Sequence, residues 1–196
     1  MVVGDQTYLA KNNNHLLRAK SLHQMDMEAG LRICTIIPFR EPYSQAKSLL
    51  TQHRNLSTLQ RENDFALDYM DFLVHHEFGV NTKTHLLRES AGEALPQGDM
   101  DTIEHWLEVW RFFYRAAFDL YKDQPGFCFF CYEHYLEKPR ESLLSLSSFL
   151  QIPPEQLTAL EVKQWTGNRS EMAAEPIGEI MALYREMTNA AINHDV

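Results

Sequence analysis

The architecture of this 196-residue chain follows from one stretch, which reads Thr35-Ile-Ile-Pro-Phe-Arg-Glu-Pro-Tyr-Ser-Gln-Ala-Lys-Ser48. Its apolar start predicts a buried strand that ends at Phe39, and Pro42 predicts the first turn of a helix. Arg40 would then lie just outside the carboxyl end of a strand, where open α/β sheets bind ligands and where a guanidinium can hold a phosphate through two hydrogen bonds. Ser48, about two turns into the helix, can donate to the same anion if the helix packs against that pocket. The alternative is that Arg40 is an ordinary surface charge.

A second apolar stretch of the same character starts at Phe127. Residues 127–132 and residues 31–39 are rich in Ile, Phe and Cys without helical spacing, so both predict strands buried on two faces. Amphipathic spacing predicts helices around them, the strongest over residues 102–121, and others over residues 13–24, 42–55, 64–78, 139–150, 155–162 and 176–193. The pattern therefore predicts α/β or α+β packing, with a connecting loop at residues 81–100.

The two stretches together resemble the sulfotransferases that use 3′-phosphoadenosine 5′-phosphosulfate (PAPS). In Arg40-Glu-Pro-x-x-x-Ala-Lys-Ser48-Leu an arginine ends a strand and a serine follows on the next helix, as in the family's 3′-phosphate-binding motif. Residues 127–150 resemble the family's later strand, Tyr-Glu loop, Pro turn and short helix that ends in Phe-Leu. The resemblance implies an α/β fold of the P-loop-like, three-layer sulfotransferase type, helix-rich with a small parallel sheet, and PAPS or its product PAP as the nucleotide.

The same family begins with a strand, a loop containing Gly and Lys that holds the 5′-phosphosulfate, and a helix. No such loop precedes Arg40, because Gly4 and Gly30 have no Lys-Ser or Lys-Thr beside them. The resemblance therefore implies one truncated sulfotransferase-like domain over residues 1–196 that lacks the amino-terminal strand, loop and helix. Such a chain is expected to transfer no sulfuryl group by itself, and the uncovered sheet edge favours a homodimer.

The resemblance also implies catalytic positions near the start of the chain. Lys11 occupies the place of a family lysine that contacts the sulfuryl or acceptor group, although an exposed lysine that starts a helix fits equally well. The family's histidine base follows two residues later, where this chain has Asn13, an amide that takes up no proton at neutral pH. His15 is the nearest titratable substitute, but a helix would place it about 200° from Asn13.

Two further positions are candidates for the nucleotide. Tyr132 follows the second strand and is expected to stack on or border the adenine, with Glu133 orienting the loop through backbone hydrogen bonds. Arg169, in the late polar loop Thr166-Gly-Asn-Arg-Ser170, matches the family's basic loop on the 3′-phosphate. The alternatives are a core tyrosine, a salt-bridged glutamate and a surface arginine.

Two functions from different classes remain open. The first is an enzyme that transfers a sulfuryl group from PAPS to a hydroxyl or amine acceptor, a small molecule or a carbohydrate. The second is a non-catalytic, sulfotransferase-like module that keeps the 3′-phosphate half-site. The acceptor has no readable motif, because acceptor pockets are built by loops.

Composition and cysteine positions limit the kinds of partner, metal site and cellular location that we expect. A formal charge of −9 disfavours a nucleic-acid partner, which requires clustered Lys and Arg. No apolar run approaches the roughly 20 residues of a membrane span, and residues 1–14 lack a signal-peptide pattern. Cys128 and Cys131 lie in a predicted strand, where residues three apart point to opposite faces, so they predict buried free thiols and no metal site. We therefore expect a cytoplasmic location.

Overall fold

The computed structural model describes residues 10–11, 16, 19–29, 32–83, 98–158 and 176–194. Within these residues the chain is a helix-rich α/β structure with a small parallel sheet. The elements in chain order are α1 (Ala19–Ala29), β1 (Thr35–Phe39), α2 (Pro42–Glu62), α3 (Asp64–Phe72), α4 (Ile103–Tyr121), β2 (Phe127–Cys131), α5 (Tyr132–Glu137), α6 (Pro139–Leu150), a single 3-10 turn (Pro154–Gln156) and α7 (Pro176–Asn189).

The sheet consists of β1 and β2, which pair in parallel along their whole length. Thr35 lies opposite Phe127 and Phe39 lies opposite Cys131, so the two strands start and end together. Parallel strands need a long crossover between them, and here that connection carries the helices α2, α3 and α4. The carboxyl ends of both strands therefore meet at one edge of the sheet.

One face of the sheet forms the centre of the hydrophobic core. Ile37 and Phe39 of β1 and Phe129 and Cys131 of β2 are buried side by side on this face. Helices α4 and α7 supply most of the other buried core side chains, among them Trp106, Trp110, Phe118, Tyr121, Ile180, Leu183 and Met187. On the opposite face the sequence prediction of strands buried on both faces is wrong for β1, because Pro38 is exposed, whereas Cys128 of β2 is buried there.

The outer edges of the two strands are closed in different ways. Along β2, the backbone N–H of Ile192 donates to Phe129, and the side-chain amide of Asn193 bonds both the N–H and the C=O of Cys131. Along β1, Pro38 removes one donor from the outer edge, and its carbonyl accepts from the hydroxyl of Tyr114 at 3.0 Å. These features limit the pairing of further strands with the sheet.

Local features of the chain determine where several helices begin and end. Glu41 and Asn63 cap α2 and α3, since each side chain accepts a backbone N–H in the first turn that follows. Helix α3 ends at Phe72 rather than at the predicted residue 78, because Val74 adopts a left-handed backbone with φ 60°. Strand β1 starts at Thr35 rather than at residue 31.

Two histidines lie against Trp106, near the start of α4. His53 of α2 and His105 of α4 lie 5.7 Å and 5.2 Å from Trp106, ring centre to ring centre. The Nδ1 atom of His53 accepts from the backbone N–H of Gly79 at 3.3 Å. Burial lowers the pKa of both imidazoles, so they favour the neutral form.

In the part of the chain that the structure describes, no helix is long and apolar enough to cross a membrane. Of the predicted helix over residues 155–162, residues 155–158 are described, and only 155 and 156 are helical, as part of the 3-10 turn. Most of the predicted loop over residues 81–100 lies outside the described residues.

Candidate functional site

The carboxyl edge of the sheet brings two of the predicted ligand residues together. Arg40 directly follows Phe39 and Tyr132 directly follows Cys131, and those two strand ends are partners in the register. Both Arg40 and Tyr132 are half-buried. Arg40 precedes helix α2, and Tyr132 is the first residue of helix α5. The chain therefore leaves the sheet at the same edge after each strand.

The arginine points along the first turns of α2. Its guanidinium donates through Nη2 to the backbone carbonyl of Ser44. Ser44 and Ser48 lie four residues apart on α2, so their hydroxyls lie on one side of the helix, one turn from each other. Ser44 is half-buried and Ser48 is exposed. The structure thus places Arg40, Ser44 and Ser48 along a single stripe, with Ser44 an addition that the sequence analysis did not name.

A carboxylate already occupies the amino terminus of α2. Glu41 is buried, and its Oε2 accepts from the backbone N–H of Ser44 at 2.7 Å. Pro42, the first residue of the helix, has no N–H to offer. An anion at this edge would therefore be bound mainly by the side chains of Arg40 and the two serines.

Glu133, in the first turn of α5, connects the turn after β1 to helix α7. Its Oε1 accepts from the backbone N–H of Glu41 at 2.9 Å, and its Oε2 accepts from the hydroxyl of Tyr184 at 3.0 Å. The sequence prediction has Glu133 orienting its own loop through backbone hydrogen bonds, whereas here it lies in helix α5 and accepts from the backbone of the turn after β1. Burial, followed by the charge of Glu133, raises the pKa of Tyr184, so this phenol is a neutral donor at physiological pH.

A second network supports β1 from α4. The hydroxyl of Tyr114 donates to Pro38, and the amide of Gln45 donates to Tyr114 at 3.2 Å and accepts from the indole N–H of Trp110 at 3.2 Å. Desolvation raises the pKa of Tyr114, which keeps the phenol protonated. The strand end that precedes Arg40 is thus held by side-chain hydrogen bonds from α2 and α4 as well as by the sheet.

The other predicted residues are not brought to this edge by the described structure. Lys11 is exposed and makes no hydrogen bond or ion pair among the described residues. His15 and Arg169 lie outside the described residues. The structure therefore describes the surroundings of three predicted nucleotide-binding residues, Arg40, Ser48 and Tyr132. It describes no contact for the predicted catalytic residues Lys11 and His15.

The two cysteines of β2 are buried free thiols whose pKa values are raised. Cys128 and Cys131 are free and buried, as predicted, and Cys34 is free and half-buried. Burial raises the pKa of Cys128 to about 12 and also raises that of Cys131. Among the described residues no group of three His, Cys, Asp or Glu side chains is placed to hold a metal ion.

Comparison with models of known protein families, with curated proteins and with solved structures gives no match to this chain. The site must therefore be interpreted from its own geometry.

Three participants were missed by sequence reasoning. Ser44 carries a usable signal, because it lies four residues from both Arg40 and Ser48. Glu41 carries one too, since a polar residue before a helix-starting proline is a common N-cap. Tyr184 lies 51 residues from Glu133 along the chain, and no local pattern connects them.

Proposed function

We propose that this chain binds a 3′-phosphorylated adenine nucleotide, PAPS or PAP, at the carboxyl edge of its sheet. We further propose that the chain is a sulfotransferase-type domain whose reaction moves the sulfuryl group of PAPS to a hydroxyl or amine of a small-molecule or carbohydrate acceptor. The observation that supports this most is the alignment of Arg40 and Tyr132 at the ends of two paired parallel strands. Ligands of open α/β sheets bind at that edge.

Each side chain at the edge has a proposed task. Arg40 exchanges its bond to the Ser44 carbonyl for the 3′-phosphate, and a charged hydrogen bond to a dianion is stronger than one to a neutral carbonyl. Ser44 and Ser48 donate their hydroxyls to the same phosphate. Tyr132 borders the adenine ring.

Glu133 and Glu41 act as positioning residues in this proposal. Glu133 fixes the backbone of Glu41, which directly follows Arg40, and Glu41 fixes the first turn of α2. Two carboxylates beside a phosphate site also repel a badly placed anion. The geometry therefore favours a nucleotide whose phosphate is confined to the Arg40–Ser48 stripe.

The transfer step requires more than this half-site. The acceptor oxygen or nitrogen attacks sulfur, the bond from sulfur to the phosphate oxygen of PAP breaks, and the acceptor's proton passes to a base. The resemblance assigns a contact to Lys11, His15 is the nearest titratable substitute for the family's base, and we retain both as candidates for the reacting end. A non-catalytic PAP-binding module is the second candidate, favoured by the exposed position of Lys11.

Calorimetric titration with PAP tests the proposed site. We expect wild-type protein to bind PAP more tightly than adenosine 5′-phosphate, because only PAP carries the 3′-phosphate. Arg40→Ala should lose about 1.5–3 kcal/mol of binding free energy, and Ser48→Ala about 0.5–1.5 kcal/mol. Arg140→Ala removes an exposed arginine from α6 and serves as the matched control.

Equal affinity of wild type and Arg40→Ala for PAP, with both proteins folded by circular dichroism, would contradict the assignment. So would tighter binding of adenosine 5′-phosphate. A radiolabelled sulfuryl-transfer assay then separates the two candidates, since PAP binding without turnover of PAPS favours the binding module.

A further inference from the structure

No other element among the described residues covers the aromatic side chains on the outward side of α3. Phe65, Tyr69 and Phe72 follow each other at spacings of four and three, so their rings lie on one side of the helix. Phe65 is 73% exposed and Phe72 is 82% exposed. Tyr69 stacks on Phe65 with ring centres 5.8 Å apart, and Leu73 and Val74 extend the surface beyond the helix end. We call these five residues the α3 aromatic face.

The helix is held in place by its other side. Ala66, Leu67 and Met70 are half-buried, and the sulfur of Met70 lies 3.2 Å from the side-chain amide of Gln60 on α2. The exposed rings therefore contribute little to this packing. Contiguous exposed aromatic residues on a soluble domain commonly mark a surface that binds another molecule.

An acidic stripe runs beside the aromatic one. Asp64, Asp68 and Asp71 have the same four-and-three spacing as the three rings and precede each ring by one residue, which places them about 100° around the helix. Asp71 also accepts from the side chain of Asn81 at 2.9 Å. Residues 61–83 contain five acidic and two basic side chains, so the whole neighbourhood is negative.

This charge pattern distinguishes between the kinds of molecule that could bind the α3 aromatic face. A second copy of the chain would place two sets of aspartates in one interface, and like charges brought together cost several kcal/mol. An anionic lipid surface would be repelled for the same reason. A helix with apolar side chains on one side and Lys or Arg beside them matches both stripes at once.

We propose that the α3 aromatic face binds a basic amphipathic helical segment of a partner protein. Apolar side chains of that segment pack on Phe65, Tyr69 and Phe72, while its Lys or Arg side chains pair with Asp64 and Asp68. In such helix-to-helix recognition the apolar anchors recur at spacings of three and four, aromatic residues supply most of the affinity, and charges set the choice of partner. The proposal is independent of the nucleotide site.

A designed peptide tests the proposal on the full chain. The probe is a fluorescein-labelled helical peptide of about 18 residues, with Leu on one side and Lys beside the Leu stripe, and the matched control peptide carries Glu in place of each Lys. Fluorescence anisotropy measures binding. We expect the Lys peptide to bind and the Glu peptide to bind at least about tenfold more weakly, with the difference shrinking at high salt.

Variants of the protein locate the contact. Phe72→Ser should weaken binding of the Lys peptide about tenfold, and Asp68→Lys about three- to tenfold, without loss of folding because both side chains are exposed. Leu144→Ser and Asp123→Lys change an exposed leucine on α6 and an exposed aspartate after α4, and should leave binding unchanged.

Four results would overturn the proposal. The first is equal binding of the Lys and Glu peptides, and the second is binding of the Lys peptide that Phe72→Ser leaves intact. The third is a concentration-dependent dimer in sedimentation experiments that Phe72→Ser abolishes, which would make the face a self-association surface. The fourth is binding to vesicles of phosphatidylcholine and phosphatidylserine that depends on Phe72.

Discussion

Replacing Asn193 by alanine should be among the most damaging changes at the edge of the sheet. The side chain of Asn193 is fully buried. Its Oδ1 accepts from the backbone N–H of Cys131 at 2.9 Å, and its Nδ2 donates to the Cys131 carbonyl at 2.9 Å and to the hydroxyl of Ser142 at 3.2 Å. The side-chain amide of Asn193 thus provides hydrogen-bond partners for both backbone groups of Cys131, the last residue of β2, and connects β2 to α6.

The expected cost follows from the groups left behind. Alanine removes the partner of a buried N–H, a buried C=O and a buried hydroxyl, and each unsatisfied buried group costs about 1–3 kcal/mol. The hydroxyl of Ser142 can rotate toward another acceptor, which reduces its share. We therefore expect the free energy of unfolding to fall by about 3–5 kcal/mol, a large part of the roughly 5–15 kcal/mol that holds a domain together.

Urea unfolding followed by circular dichroism measures this loss. Asn193→Asp keeps the size and one acceptor oxygen but removes the amide donor, so it separates lost hydrogen bonds from lost volume and should also destabilise the protein at neutral pH. Asn81→Ala is the matched control, because its amide bonds an aspartate at the surface, and should change the free energy by less than about 1 kcal/mol. A loss below about 1 kcal/mol for Asn193→Ala would refute the reasoning.

Two further predictions concern titratable side chains. Because burial lowers the folded-state pKa of His53 and His105, the unfolded chain binds protons more readily, and the free energy of unfolding should fall as the pH drops below about 6.5. Urea unfolding at about pH 7.5 and about pH 5.5 should show a smaller pH effect in His105→Gln than in wild type, and an equal effect would contradict the assignment. Because burial raises the pKa of Cys128 and Cys131, iodoacetamide should modify the half-buried Cys34 first in the folded protein and all three thiols in urea. Mass spectrometry of the alkylated peptides checks this order, and equal native rates would count against it.

Proline positions made the helix starts predictable from sequence. Pro42, Pro139 and Pro176 each lie in the first turn of a helix, because a fixed φ and a missing N–H fit that position. The start of β1 was not predictable in the same way. Thr35 begins the strand because its N–H bonds Gly126, just before the partner strand, and that pairing is a tertiary contact.

The candidate site also contains residues that local sequence predicts and contacts that only the tertiary structure shows. Arg40 and Tyr132 could be placed from sequence, since each follows an apolar run that ends at a helix. The contact of Glu133 with Tyr184 could not, because α7 approaches the sheet only through packing of its apolar side. The early end of α3 also lacked a signal, since a β-branched residue such as Val74 rarely adopts a left-handed backbone.

The closure of β2 by Ile192 and Asn193 has a consequence for the timing of folding. Asn193 lies 62 residues after its partner Cys131. At a synthesis rate of about 5–20 residues per second, the ribosome needs roughly 3–12 s to add that length of chain. Throughout that interval β2 exists without this closing contact, so a newly made chain passes through a window of seconds in which its sheet can take up a strand from a neighbouring molecule.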